Sequence, residues 1–468
     1  MIIVTRTLDT VEFGTWGLIM GLSSYAIMIH PIISYWALRE TARGIESAKT
    51  AVCSSSILSL GGISIYLILA YIIGSISDAN LNVLVFAVIL IPVMFVYYVV
   101  HWINLGWRPH LTSYGLISIS ISQVVFGLIF VYFLDMSVQG VILSVFVSYL
   151  VGLTTQSIFA RNKIKNKLKK EFLINWLKLS WLPIYPSIAM LISKIDIFLF
   201  TVISGSVVGL AFWTAAIIIT APIANAGMMA RGIYPKLLRK DGGNFLQQNI
   251  TYVFYFLLPF TALAITFARP ALFTLNPAFE FVSIVVIFLA MRVLLNTLCD
   301  MFQEFLIGLE DVDTRTNPNF KDFINSKLFI IPTIRIIQSI IFITILVIGF
   351  YYFVSDTGYL DVLIFWALIS VLSQIPFCAY LYILLKRSSS LTFEKKSVIK
   401  YLLSSMIIFI PVYYFAESFF TYSPKLVEFI PQLIIFIGLS MGAYLAITYI
   451  IDSKTRELFT AIFHEIKK

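Results

Sequence analysis

Long apolar stretches alternate with short polar ones along the whole chain. Runs of about 20 residues, each long enough to cross a bilayer as a helix, recur at 13–36, 51–74, 81–104, 112–134, 138–159, 180–203, 207–230, 249–268, 280–306, 330–353, 361–385, 398–420 and 429–450. The pattern predicts an all-α fold, a polytopic membrane helical bundle with 13 full spans. Met1–Val4 reads as the tail of one further, truncated first helix. No polar stretch is long enough to bury a core of its own, so no soluble domain is expected.

Composition supports the same class. Of 468 residues, 59% are hydrophobic and 12% charged, where a soluble domain carries roughly 25% charge. The net charge of +9 raises nucleic acid as a partner, but its distribution argues against one. Of the 33 Lys and Arg, 27 fall in alternate loops, and Arg6, Arg269 and Lys425 lie on the other side. Lys194, Arg292 and Arg335 fall within spans. Basic loops mark the cytoplasmic face, which predicts a multi-pass protein of the cell membrane with a cytoplasmic C-terminus. No cleavable signal peptide is expected. Cys53, Cys299 and Cys378 lie in or beside spans at no metal-binding spacing, so neither a disulfide framework nor a metal is expected.

Two polar stretches have helical periodicity. In 161–179, Ile164, Leu168, Phe172 and Trp176 recur every four residues among lysines, which predicts a basic amphipathic linker helix on the inner leaflet. In the tail, 451–468, Leu458, Phe459, Ile462, Phe463 and Ile466 share a face.

Signatures of enzyme chemistry are missing. The chain has no GxxxxGK[ST] and no HExxH, and its four histidines are scattered, so no cofactor and no enzymatic activity are expected. The GLSMG at Gly438–Gly442 spells G-x-S-x-G, but inside an apolar helix it reads as a GxxxG packing face. The candidate chemistry is polar residues within spans. Arg292, Asn296, Asp300 and Gln303 are spaced by four, four and three, on one helical face. Lys194 and Asp196 are two apart and point to different sides, so Asp196 is expected to meet Arg292 or another cation. Such charges face protein or a water-filled gap rather than lipid. They serve either as a structural ion pair or as the lining of a cavity. Pro31, Pro183, Pro186 and Pro222 mark places where a span can bend.

The stretch from Ser193 to Leu238 echoes the N-terminus, with Val208, Gly209 and Trp213 in the register of Val11, Glu12 and Trp16. The echo suggests a second, related half. TRTLDTVEFGTWGLIM at Thr5–Met20, WALRETARG at Trp36–Gly44 and IYPKLL at Ile233–Leu238 resemble motifs of polysaccharide (oligosaccharide-lipid) flippases. These belong to the multidrug/oligosaccharidyl-lipid/polysaccharide exporter superfamily. The resemblance covers nearly the whole chain and departs at the start, where most of the first helix is missing.

It implies two pseudo-repeated lobes of about six helices each plus a C-terminal pair. The ranges would be 1–160 for the first lobe, 161–179 for the linker, 180–385 for the second lobe, 398–450 for the extra pair and 451–468 for the tail. It also implies a cationic cavity that flips lipid-linked oligosaccharide or polysaccharide precursors by alternating access. By position Arg6 matches the family's arginine after the first span, and Arg39 and Arg43 its inner-loop basic residues. The implied partners are a polyprenyl- or dolichyl-(pyro)phosphate-linked glycan, membrane lipid and glycan-assembly glycosyltransferases, with no nucleic acid. Two rival readings stand beside it. One is a multidrug or cation antiporter of the same superfamily, using Asp196 and Asp300 as ion sites. The other is a polyprenyl-sugar-dependent membrane glycosyltransferase, using Asp9 and Glu12.

Overall fold

A computed structural model describes residues 2–165, 167–227, 243–308, 324–353, 358–388 and 394–466. The IYPKLL motif lies outside them. The described helices are α1 (Ile2–Thr7), α2 (Thr10–Ala26), α3 (Pro31–Ala42), α4 (Ala48–Gly74), α5 (Leu81–Trp107), α6 (Leu111–Phe133), α7 (Ser137–Ile164), α8 (Lys170–Lys178), α9 (Trp181–Ser193) and α10 (Ile195–Ser204). They continue with α11 (Val208–Ala226), α12 (Gly243–Thr266), α13 (Ala268–Leu275), α14 (Pro277–Gly308), α15 (Lys327–Phe353), α16 (Tyr359–Ser388), α17 (Lys395–Phe419), α18 (Leu426–Ile451) and α19 (Ser453–Ile466). By length and composition 11 spans qualify, and two bent pairs bring the number to 13, the number the apolar pattern predicts. The protein is an all-helical polytopic membrane bundle.

The bends correct two of the expected spans. The stretch 13–36 is not one straight helix: α2 ends in a 3-10 turn at Ile27–Ile29, and α3 leaves at 60°. Pro31 at the first position of α3 cannot donate a backbone hydrogen bond, which fixes the break there. The stretch 249–268 likewise breaks into α12 and α13 at 68°. That bend falls at Phe267, not at Pro259, which α12 carries in its interior. Pro183 and Pro186 do not interrupt the span that holds them. Helix α9 runs through them and stops at Lys194, and Pro222 lies inside α11.

The chain divides into two compact units. The described residues of the first lie within Met1–Thr214 and Ile307–Ile369, so they include α1 to α10, the start of α11, α15 and the first part of α16. Its helices α3, α4, α5 and α7 pack together, and α9 packs on α15. Tyr185 hydrogen-bonds Thr333 at 2.7 Å and stacks on Phe329, which fixes the register of α9 on α15. Between α5 and α7, buried Asn104 donates to the Gln156 side chain at 2.5 Å and to its carbonyl at 2.9 Å. Gln156 in turn donates to the Thr112 carbonyl on α6. These bonds resist separation of the helices, because each freed donor or acceptor would be left dry.

Helix α8 corrects the expected linker. Its four-residue periodicity does not run on one helix, since α7 ends at Ile164 and α8 starts at Lys170. Part of its apolar surface packs on the protein. Trp176 is 1% exposed, stacks with Phe172 and donates its indole N–H to Glu40 at 2.9 Å. It belongs to a cluster with Ile33, Ala37, Ala51 and Ile103. A tryptophan with both its ring and its N–H satisfied by α3 gains more from protein than from a head-group layer. Leu168, Ile174 and Leu177 stay exposed.

The second unit holds the rest: the described residues of Ala215–Ile233, Gly242–Leu306 and Ser370–Lys468. Its core gathers Tyr255, Tyr401, Phe409, Phe429 and Tyr444. Tyr444 donates to the Tyr255 carbonyl at 2.8 Å. Asp452, 2% exposed between α18 and α19, accepts from Tyr401 at 2.8 Å, from Ser397 and Lys400 at 3.1 Å, and from the backbone N–H of Thr455. It caps α19 and ties it to α17. Gly438 and Gly442 are exposed and have no neighbour within 4 Å of a Cβ placed there. Among the described residues the expected GxxxG face is therefore not used.

Candidate functional site

In the first unit the site grows from an interrupted span. Backbone hydrogen bonding of α9 closes at Lys194, whose N–H reaches the Met190 carbonyl at 3.1 Å. Helix α10 starts at once, with Asp196 in its first turn. A carboxylate there is favoured by the unpaired N–H groups and the positive end of the helix dipole. One oxygen accepts from the Ile197 N–H at 2.8 Å and the other from the Trp366 indole N–H at 3.1 Å. Trp366 is itself fully buried, stacked on Trp213 at 3.8 Å and on Phe200 at 5.6 Å, with Phe350 edge-on. Asp196 is 4% exposed. The aromatic wall removes water from one side of the carboxylate, while its one N–H compensates an oxygen. Tyr25 of α2 donates to the Leu191 carbonyl at 2.8 Å, taking up an acceptor that the end of α9 leaves open. Lys194 is half-buried, as is Arg335 on α15.

The stretch that the N-terminus echoes packs on that N-terminus within this unit. A Cβ on Gly14 would lie 2.1 Å from the Val207 carbonyl oxygen, and one on Gly17 would lie 2.4 Å from the Thr214 hydroxyl. Trp16 and Trp213 are both buried. Gly205, at φ +63°, supplies the left-handed turn from α10 to α11. Asp78 then holds the start of α11, accepting from the Val207 N–H and the Ser206 hydroxyl, each at 2.9 Å.

The two arginines matched to an inner loop are placed differently. Arg43 is the exposed cap after α3. Arg39 is a correction: it is not in a loop but in the last turn of α3, 1% exposed. It donates to the Tyr35 hydroxyl at 2.8 Å, and its guanidinium lies 5.2 Å from that ring. Helix α3 runs on to Ala42, past the expected end of the span at 36, and so carries Arg39 one turn after Tyr35. Arg6, in the last turn of α1, is half-buried.

In the second unit Arg292, Asn296, Asp300 and Gln303 all lie on α14 and are all half-buried. The stripe therefore exists on a continuous helix, with Arg292 fifteen residues from one end of Pro277–Gly308 and sixteen from the other. Glu304, which the spacing argument passed over, follows Asp300 by one turn. Cys299, buried on the same helix, faces Cys378 of α16. A cleft of about 50 Å³ lies at the bend between α12 and α13, lined by Thr266, Arg269, Ser283 and Tyr413 among others. None of the residues expected from the sequence lines it. Among the described residues no group of three or more His, Cys, Asp or Glu is arranged to hold a metal.

No protein-family model matches the chain, and no curated protein matches it in sequence. Solved structures do. An outward-facing multidrug resistance MATE family transporter of the MOP superfamily superposes with a TM-score of 0.54 at 16% identity, over 82% of this chain and 90% of that one. An inward-facing structure described in the same words gives 0.56 at 15%, over 83% and 94%. A MATE in the straight conformation gives 0.54 at 16%, over 82% and 90%. The fold is thus a MATE-like, two-lobed helical bundle.

Proposed function

We propose that this protein is a membrane transporter that flips lipid-linked oligosaccharide or polysaccharide precursors across the cell membrane by alternating access. The observation that carries the reading is Arg292, a cation at the midpoint of a long apolar helix, on one face with Asn296, Asp300 and Gln303. A charge at that depth is expensive against lipid and is kept for a polar path or partner. Arginine offers a phosphate a planar fork of donors. A lipid-linked sugar brings a phosphate or pyrophosphate to that depth while its tail stays in the bilayer. Similar TM-scores to an outward-facing and an inward-facing structure support a scaffold that rocks between two openings. The two-lobe division expected from the sequence, with the linker at 161–179, belongs to this proposal. So do Lys194, Asp196, Arg6, Arg39 and Arg43 as further cavity residues.

A second reading has one observation in its favour. Asp196 is a buried carboxylate beside stacked tryptophans, an arrangement that suits a cation or proton in a multidrug antiporter. Purified protein in liposomes separates the two. Movement of a lipid-linked sugar head group without efflux of a cationic dye supports the flippase. Dye efflux without head-group movement replaces it with the antiporter.

The basic helix ends are proposed to face the cytoplasm. A reporter fused after Lys468 is expected to be protected in intact cells, and one inserted at Gly358 to be accessible. The reverse labelling would invert every side assignment.

A further inference from the structure

Helix α5 ends at Trp107, and two cations meet its indole ring. Arg108, the residue that caps the helix, has its guanidinium 4.7 Å from the ring centroid. The Lys163 ammonium, from the last turn of α7, lies 5.6 Å from the same centroid. The platform under them is rigid, because Asn104 and Gln156 clamp α5, α7 and the start of α6 one to two turns away. Arg108 donates its backbone N–H to Asn104 at 2.7 Å.

Among the described residues neither cation pairs with a carboxylate; the ion pairs lie elsewhere. The surrounding sequence adds Arg161, Lys165, Lys167 and Lys169 against the single acid Glu171. Like charges gathered on one ring repel, and the indole and the two helix ends compensate them only in part. The ridge lacks an anion.

What lies beside it says which anion. Tyr114, Ile117 and Ile121 on α6 and Ile158 on α7 are exposed, all on helices whose apolar windows meet the membrane criterion. Tyr114 packs against Phe159. The Trp–Arg–Lys group therefore stands where an exposed apolar wall ends. A tryptophan at that level sits among lipid head groups, and a basic pocket between span ends on the cytoplasmic side takes a phosphate-bearing head group.

We propose that Trp107, Arg108 and Lys163 form a binding site for the head group of an anionic phospholipid, whose acyl chains lie along Tyr114, Ile117 and Ile158. The occupant is a bilayer lipid rather than the transported substrate, so the site stands whether or not the flippase reading holds. It also differs from the α8 helix, whose Trp176 is buried in the protein.

The test is native mass spectrometry of the full-length protein released from nanodiscs of phosphatidylglycerol and phosphatidylcholine. Wild type is expected to retain phosphatidylglycerol preferentially. Arg108→Gln with Lys163→Gln is expected to weaken that retention by about fivefold per cation removed. Lys395→Gln with Lys396→Gln removes two exposed charges at the start of α17 and is expected to leave it unchanged. Equal losses in the two double variants would make the attraction diffuse and overturn the site. Retention by Arg108→Gln/Lys163→Gln at the wild-type level would do the same. Displacement of the lipid by inorganic phosphate alone would make this a free-phosphate site instead. Should the double variant fold poorly, Lys163→Gln alone, at a helix end, carries the comparison.

Discussion

Asp196 and Trp366 are joined by a buried hydrogen bond. The indole N–H is the donor to one carboxylate oxygen, and the stacked rings of Trp213 and Phe200 hold it in place. Trp366→Phe keeps an aromatic ring but removes the donor, leaving a buried oxygen short of one hydrogen bond. Losing a bond to a charged, buried acceptor costs about 1.5–3 kcal/mol, read as a lower melting temperature of the purified protein. Asp196→Asn removes the charge that made the loss expensive. The double variant is therefore expected to melt above the sum of the two single effects. Strict additivity would mean that the pair does not act as a unit. The sequence showed Asp196 as a charge within a span but gave no sign of Trp366, which is 170 residues away. Arg39 was legible only in part. Its type and number matched, but its burial follows from the break at Pro31, which places it on a helix rather than in a loop.

At the scale of elements, the apolar runs predicted the helices well because twenty residues without water have no other way to satisfy their backbone. The breaks were harder to read. A proline removes one donor wherever it sits, yet α9, α11 and α12 pass through Pro186, Pro222 and Pro259. Of the three breaks, the one at His30 carries a local mark in Pro31, while those at Lys194 and Phe267 have no proline at the break itself. Glycine spacing misled at Gly438 and Gly442, and the close approach of α2 to α11 was not read from the sequence. Gly14 and Gly17 lie where α2 meets the start of α11 at backbone distance. Gly14→Ala forces a Cβ into the Val207 carbonyl, and overpacking of this kind costs about 1–3 kcal/mol. Gly127→Ala, with open space around it, is the control and is expected to be neutral or slightly stabilising. Thermal melts of the two variants in one detergent decide the matter, and equal melting would remove the close approach from the account.

For the whole molecule, hydropathy, charge asymmetry and the fold agree on a membrane bundle of up to 13 spans. The candidate site was legible as a list of residue types, since charges are rare in spans and stand out. Its grouping was legible only along a single helix, as in the α14 stripe; the Asp196–Trp366 bond joins residues 170 apart and left no such pattern. Lys194, Asp196 and Arg335 lie in the first unit, and the stripe on α14 lies in the second. The central claim is that Arg292 receives a phosphate head group near the middle of the membrane. The direct measurement is the rate at which purified protein, reconstituted in liposomes, moves the head group of a polyprenyl-pyrophosphate sugar, compared among wild type, Arg292→Lys and Arg292→Ala at equal membrane abundance. Loss of the fork should slow Arg292→Lys by roughly tenfold, the value of one charged hydrogen bond, and Arg292→Ala should fall to the protein-free rate. Wild-type rates in a folded Arg292→Ala protein would contradict the account.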